Sequence, residues 1–178
     1  MNRFACMLAV PCLAAAAWAQ SGAASAGAGN PLSAGNKFFY GMMKSNVLKA
    51  AEEMPESNYS FKPVDSVRSF GQLVAHVADA QYEFCAPVLG DTTEHPGIEK
   101  SATTKADIIT GLKTAFAYCD KAYDAMTDAQ APEPVKFFGR TAAKLTVLSI
   151  NNAHTDEHYG NIVTYLRIKG MVPPSSKQ

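Results

Sequence analysis

Two histidines four residues apart are the clearest chemical signal in the sequence. His154 and His158 lie in NNAHTDEHYGNIVTYLR, residues 151–167, which is predicted to be helical throughout. Residues four apart lie one turn apart on the same helix face, so the two imidazoles can bind a single metal ion. Imidazole nitrogens suit zinc, nickel, copper or iron rather than magnesium or calcium. The spacing therefore indicates a site for a divalent transition metal.

A third ligand would have to come from another helix. His76 lies on the apolar stripe of a predicted helix, between Leu73 and Val77, whereas His95 lies in a polar link and is predicted to be solvated. Three histidines would leave a coordination position for water or substrate, which is the arrangement of a catalytic site. Spacing alone also allows His76 to be a core histidine with a purely structural role.

The sequence does not select a general base, and the catalytic residues stay unknown. Asp79 follows His76 by about one turn, and Glu157 adjoins His158. Either carboxylate could orient a ligand or accept a proton, and either could be a solvated surface charge. HTDEH also matches the H-x-x-E-H pattern of inverzincin proteases. That site needs a further acidic ligand from a later helix, and only a short tail follows.

Length and composition are those of one domain with a substantial core. The chain has 178 residues, of which 47% are hydrophobic, and it carries 16 basic and 16 acidic side chains. Such a balance lacks the electrostatic signal of a protein that binds nucleic acid or an anionic membrane surface. We therefore expect a small-molecule substrate, whose identity stays unknown, and no nucleic-acid partner. The sequence leaves open whether the protein forms a homodimer.

The N-terminus has the pattern of an export signal. Arg3 precedes an apolar run over residues 4–16, and the small-x-small motif AWA ends at Ala19, so cleavage is predicted before Gln20. A lipoprotein signal is disfavoured because the residue before Cys12 is proline. We expect a signal peptide over residues 1–19, a periplasmic or secreted protein, and no membrane attachment after cleavage.

The mature chain is predicted to begin with a linker. Residues 20–32 are rich in Gly, Ala and Ser and form a flexible segment. A helical domain is expected over residues 33–172, followed by a short tail over residues 173–178.

Apolar periodicity predicts four helices and no strand, so the predicted fold class is all-α. Ser69 with Gln72, and Thr104 with Asp107, have the spacing of N-terminal caps for the second and third helices. The predicted helices cover residues 33–54, 69–89, 104–126 and 141–169.

A long link between the second and third helices allows these two helices to run in the same direction. Cys85 is about sixteen residues into the second helix and Cys119 about fifteen into the third. Parallel helices would place these cysteines at the same height, whereas antiparallel helices would separate them by ~15 Å, too far for a disulfide. An even number of cysteines in an exported chain favours the bridge, with two buried thiols as the alternative. A bridge would imply an up-down-down-up four-helix bundle.

Two segments together resemble the DinB/YfiT-like superfamily of metal-dependent enzymes. They are VRSFGQLVAHVADAQYEFC, residues 67–85, and HTDEHYGNIVTYLR, residues 154–167. The resemblance extends over residues 33–172. It implies a four-helix bundle with up-down-down-up connectivity. It also implies a metal, usually zinc or nickel, that is bound by one histidine of the second helix and two of the fourth. Carried over by position, these ligands are His76, His154 and His158.

The resemblance does not specify a reaction. Some members of the superfamily use a small thiol, either as S-transferases or as an isomerase, but low-molecular-weight thiols are scarce outside the cytosol. We therefore expect a hydrolase that acts on a small molecule in the periplasm. The alternatives are a non-catalytic metal-binding or stress-related interaction protein, and a thiol-dependent S-transferase.

Overall fold

The computed structural model describes residues 29–177, where four long helices pack side by side. A short helix lies between the second and third long helices, and a two-stranded antiparallel hairpin precedes the last one. The predicted signal peptide, residues 1–19, lies outside the described residues. In chain order the elements are α1 (Pro31–Glu53), α2 (Phe70–Leu89), α3 (Ile98–Ser101), α4 (Lys105–Ala125), β1 (Pro134–Phe137), β2 (Arg140–Ala143) and α5 (Lys144–Ile168).

Helices α2 and α4 run parallel, as the cysteine positions predict. Gly71 at the start of α2 lies against Ile108 at the start of α4, where a Cβ on the glycine would be 3.2 Å from the isoleucine Cδ1. Further along the two helices, Cys85 and Cys119 form a disulfide-distance pair with Cα atoms 5.3 Å apart. The two helices therefore start at the same end of the bundle and stay in register.

Helices α1 and α4 run antiparallel. Near the middle of α1, Lys44 pairs with Asp120 near the end of α4, with a closest nitrogen–oxygen distance of 2.6 Å. Near the end of α1, Glu52 pairs with Lys113 at 2.7 Å, closer to the start of α4. Residues nearer the end of α1 therefore pair with residues nearer the start of α4, so the two helices run in opposite directions.

Helices α2 and α5 are also antiparallel, which completes the connectivity. The Tyr165 hydroxyl, near the end of α5, donates to the carbonyl of Arg68, just before α2, at 2.6 Å. Further along α2, the Gln81 side chain accepts from Asn151, near the start of α5, at 3.0 Å. The order is up-down-down-up, as predicted.

The core consists mainly of apolar side chains. Its side chains come from all four long helices, and burying each of the larger apolar ones stabilises the fold by about 1.5–3 kcal/mol. None of the described helices has both the length and the hydropathy of a membrane span. The largest fully buried apolar side chains include Phe70, Phe116, Met54, Leu112, Leu148, Ile162 and Leu166.

The hairpin contradicts the prediction that the chain contains no strand. Strands β1 and β2 have four residues each, too few to show a period-two pattern, and α5 consequently begins at Lys144 instead of residue 141. The two-residue turn consists of Phe138 and Gly139, with φ of 45° and 74°. Such turns need left-handed backbone at both positions and usually contain Asn-Gly. Because phenylalanine occupies the first turn position, the sequence did not indicate a turn here.

Both ends of the folded region extend beyond the predicted domain. Helix α1 begins at Pro31, and its first turn is capped from a distance by Asp128, whose carboxylate accepts from the backbone N–H of Ser33 at 2.8 Å. At the other end, the predicted tail forms a 3-10 turn over Pro174–Ser176. The Tyr159 hydroxyl of α5 donates to the Ser175 hydroxyl of this turn at 2.9 Å. Both ends are held by side chains that are distant in sequence.

Candidate metal centre

The three predicted histidines converge between α2 and α5. One ring nitrogen from each of His76, His154 and His158 lies within 4.8 Å of the other two. The Nε2 atoms of His154 and His158 are 3.1 Å apart. The His76 ring centroid lies 5.2 Å from that of His154 and 4.8 Å from that of His158. Because α2 and α5 are antiparallel, a histidine near the start of α2 reaches the middle of α5.

The spacing of the pair on α5 fits a shared metal ion. Two nitrogens bound to tetrahedral zinc at about 2.0–2.1 Å lie about 3.3 Å from each other, and the observed separation is 3.1 Å. The Nδ1 atoms of His154 and His158 are buried and have no hydrogen-bond partner among the described residues. The two Nε2 atoms are the nitrogens of this pair that face each other.

The environment keeps the pair on α5 neutral. Burial, followed by the neighbouring His158, His76 and Arg68, lowers the pKa of His154 to about 4. Burial also lowers the pKa of His158, and the nearby His76 adds to this effect. Since neutral imidazole is the form that binds a metal, both side chains are in the ligand form at neutral pH without losing a proton.

The surroundings of the centre differ on its two sides. Towards α3, His76 lines a cavity of about 660 Å³. On the other side, the Phe84 ring lies 5.3 Å from the His154 ring and 5.3 Å from Phe137 of the hairpin. The centre therefore has an open, partly polar side at His76 and an apolar, aromatic side at His154.

Comparison with known proteins shows the family of this chain. A family model described as the DinB superfamily matches residues 42–162. The chain belongs to the DinB superfamily. The Uncharacterized protein YjoA of Bacillus subtilis (strain 168) is 26% identical over 123 residues, which is 67% of this chain and 79% of YjoA.

Solved structures share the fold of this DinB superfamily protein. A DinB-like protein from Bacillus cereus ATCC 10987 has a TM-score of 0.69 at 17% identity and covers 79% of this chain and 95% of its own. YjoA has a TM-score of 0.63 at 21% identity, covering 80% and 94% respectively. The mycothiol-dependent maleylpyruvate isomerase has a TM-score of 0.61 at 14% identity, covering 73% of this chain and 60% of the isomerase. At these identities the likeness shows the fold alone.

The two candidate bases have different surroundings. The Asp79 carboxylate accepts from the backbone N–H groups of Ile98 and Glu99 at 2.6 and 2.9 Å, so it caps the short helix α3. Glu157 is exposed, and its charge opposes the lowering of the His158 pKa. Asp79 therefore has a structural partner, and Glu157 contributes a long-range charge to the centre.

His95 is mostly covered, with 19% of its side chain exposed, whereas the sequence predicted a solvated residue. Its ring stacks on Tyr82 with centroids 4.5 Å apart and meets the Tyr118 ring edge-on at 4.8 Å. Its Nε2 lies 3.6 Å from an Asp91 carboxylate oxygen. The link folds back onto the outer face of α2, so this histidine lines the same cavity as His76 without belonging to the three-histidine group.

Buried polar side chains of α5 other than the histidines form a separate hydrogen-bond network. Asn151 donates to the Gln81 side chain at 3.0 Å and to the Tyr123 hydroxyl at 3.2 Å. Gln81 in turn donates to the Thr155 hydroxyl at 3.2 Å. The bonds of Asn151 use its amide nitrogen, whereas its Oδ1 is buried and has no hydrogen-bond partner among the described residues. An unpaired polar atom in a core costs about 1–3 kcal/mol.

Glu99 is the residue at this centre that sequence analysis missed. One carboxylate oxygen lies 3.4 Å from Nδ1 of His76, and the other accepts from Arg68 Nε at 2.8 Å. Glu99 lies in the link between two predicted helices, 23 positions after His76, and no local spacing connects the two residues. Only the fold-back of the link onto α2 brings them together.

Proposed function

We propose that this DinB superfamily protein is a metal-dependent enzyme of the periplasm or extracellular space that hydrolyses a small molecule. The observation that carries the proposal is the convergence of His76, His154 and His158, of which His76 also lines a cavity of about 660 Å³. Ligand pockets of enzymes commonly measure about 300–1,000 Å³. A cavity of this size, lined by one of the three imidazoles, is suited to a small substrate.

The donor set points to zinc or nickel. Three imidazole nitrogens suit these ions and leave at least one coordination position for a non-protein ligand. A bound divalent ion would supply Lewis acidity, which polarises a carbonyl or phosphoryl oxygen and makes water more acidic. The chain's own part is to hold the rings neutral and close together, as the low pKa of His154 and the 3.1 Å separation of the Nε2 atoms allow.

The residues around the cavity provide the means to orient a substrate. Lys100 and Glu83 line it together with His76 and His95, so both signs of charge are present. The Tyr82 ring forms part of the same wall. Aromatic and charged side chains on a concave surface can fix a small polar molecule against the open side of the centre.

Two features support a location outside the cytoplasm. Residues 1–19 have the pattern of a cleavable export signal. Cys85 and Cys119 lie at disulfide distance, and disulfides persist in oxidising compartments such as the periplasm. A bridge between these cysteines would cross-link the two parallel helices.

A thiol-dependent reaction is the second candidate. The observation in its favour is the shared fold with a protein named as a mycothiol-dependent isomerase. A thiol could use the same open side of the metal centre, because thiolate sulfur is also a good ligand for zinc. The two candidates therefore differ in whether a low-molecular-weight thiol is needed for turnover.

A substrate screen of the metal-loaded mature protein tests the proposal. Zinc- or nickel-loaded protein is assayed against ester, amide and phosphoester substrates, with and without added low-molecular-weight thiols, beside the His154→Ala variant. We expect hydrolysis without thiol that is lost in the variant. Turnover only with thiol would favour the second candidate. Stoichiometric metal with no turnover under any condition would favour a non-catalytic metal-binding protein.

A further inference from the structure

We propose that Glu99 is a positioning residue of the metal centre, which holds the His76 ring with its Nε2 towards the ion. Asp79 would act through Glu99, by anchoring the helix α3 that carries it. The inference rests on the proposed metal site. It adds two carboxylates outside the three-histidine group, and it gives a role to the link between α2 and α4.

The contact between Glu99 and His76 selects one form of the imidazole. The distance from Glu99 Oε2 to His76 Nδ1 is 3.4 Å, and both side chains are about one-quarter exposed. A carboxylate beside Nδ1 favours the tautomer that carries its proton there, which leaves the lone pair on Nε2 free for a metal. A strong N–H···O hydrogen bond is about 0.5 Å shorter than this contact. The shortening is expected when Nε2 ligates an ion.

The second oxygen of Glu99 fixes the direction of the carboxylate. Glu99 Oε1 accepts from Arg68 Nε at 2.8 Å. The carbonyl of Arg68 in turn accepts from the Tyr165 hydroxyl at 2.6 Å, which ties this segment to α5, the helix that carries the other two histidines. With one oxygen held by the arginine, the other is left facing the His76 ring.

Asp79 fixes the position of the backbone that carries Glu99. Its two carboxylate oxygens accept from the N–H groups of Ile98 and Glu99, at 2.6 and 2.9 Å. Helix α3 has only four residues and is too short to be stable by itself, so these two bonds help to locate it. Asp79 and His76 lie three residues apart on α2. Asp79 therefore anchors, through α3, the Glu99 side chain that contacts His76 on the same face of α2.

Metal affinity is the first measurement. Zn²⁺ is titrated against a chelator of known affinity into the full-length mature protein and its Glu99→Ala, Asp79→Ala and doubly substituted variants. Loss of an outer-shell partner typically weakens metal binding 10–100-fold, and we expect this for Glu99→Ala. Asp79→Ala should weaken binding less. The double variant should bind no more weakly than Glu99→Ala, because Asp79 acts through Glu99.

Glu83→Ala is the matched control. Glu83 is an exposed carboxylate on α2 that lines the same cavity, so its removal subtracts the same charge from the cavity wall. The Zn²⁺ affinity of the Glu83→Ala variant should stay close to that of the unsubstituted protein, since exposed charges are screened by salt. Equal weakening by Glu83→Ala and Glu99→Ala would overturn the inference, as would additive losses in the double variant.

Two spectroscopic readouts separate positioning from other roles. Nitrogen-15 NMR of the metal-free protein should show the His76 proton on Nδ1, and a mixture of tautomers in Glu99→Ala. The visible spectrum of the Co²⁺-substituted protein should keep its shape in Glu99→Ala, because the ligands are unchanged. A changed coordination number would mean that Glu99 is itself a ligand, against the proposal. If the unsubstituted protein binds no metal, the proposed function fails. The NMR measurement of the His76 tautomer still tests whether Glu99 orients the ring.

Discussion

His154 and His158 face each other through their Nε2 atoms, 3.1 Å apart across one turn of α5. This arrangement places two lone-pair positions at the separation that a tetrahedral ion requires. The third histidine comes from the antiparallel neighbour α2. The centre is therefore assembled by one helix–helix packing interaction, and its properties can be tested by substitutions that leave that packing intact.

Removal of any one histidine of the group should abolish stoichiometric metal binding. The variants His76→Ala, His154→Ala and His158→Ala should each bind less than one equivalent of Zn²⁺ by elemental analysis after dialysis, while His95→Ala should retain it. Their helix content should be unchanged, because the core closes on apolar side chains around the centre. Full occupancy in His154→Ala, or its loss in His95→Ala, would show that the site lies elsewhere.

The metal-free protein should lose stability as pH falls from about 6.5 towards 5. The pKa of His154 is lowered to about 4 and that of His158 is also lowered, against about 6.5 in an unfolded chain. In this window the unfolded state binds more protons than the folded state, so the free energy of unfolding falls as protons are added.

Urea unfolding in the presence of a chelator measures this pH dependence. The midpoint should decrease between pH 6.5 and 5, where carboxylates contribute little, and the decrease should be smaller in a variant with His154 and His158 both replaced by Ala. An identical pH dependence in that variant would show that these two histidines do not carry the effect.

A disulfide between Cys85 and Cys119 should contribute about 3–4 kcal/mol to stability, because it closes a loop with a sequence separation of 34. Thiol titration of the denatured, unreduced protein should find no free cysteine. Chemical unfolding with and without a reductant gives the stability difference without a substitution, and the Cys85→Ala/Cys119→Ala variant should match the reduced protein. Two free thiols in the unreduced sample would contradict the bridge.

The exported protein should begin at Gln20 or within a few residues of it. Signal peptidase cleaves after small-x-small motifs, and AWA ends at Ala19. N-terminal sequencing of protein recovered from the periplasm or medium measures the cleavage position. Retention of Met1, or a lipid attached at Cys12, would count against the predicted signal.

The bundle was predictable because its signals are local or periodic. Helical periodicity and the cap at Ser69, where both hydrogen bonds of the predicted capping box are present, mark α2 from the sequence. The cysteine positions carry topological information as well, since only parallel helices bring Cys85 and Cys119 to the same height. The spacing of His154 and His158 determines that they share a face whatever surrounds them.

Tertiary structure alone decided the contacts that depend on how links fold back. Glu99 reaches His76, and Asp128 caps the first turn of α1, across 23 and 95 positions of sequence respectively. The partial burial of His95 likewise depends on packing against α2, where its ring stacks on Tyr82. Periodicity reports which residues share the face of one element, because neighbours in sequence determine it. The partner of a side chain in a link is determined by the packing of the whole chain. Local sequence spacing therefore does not predict that partner.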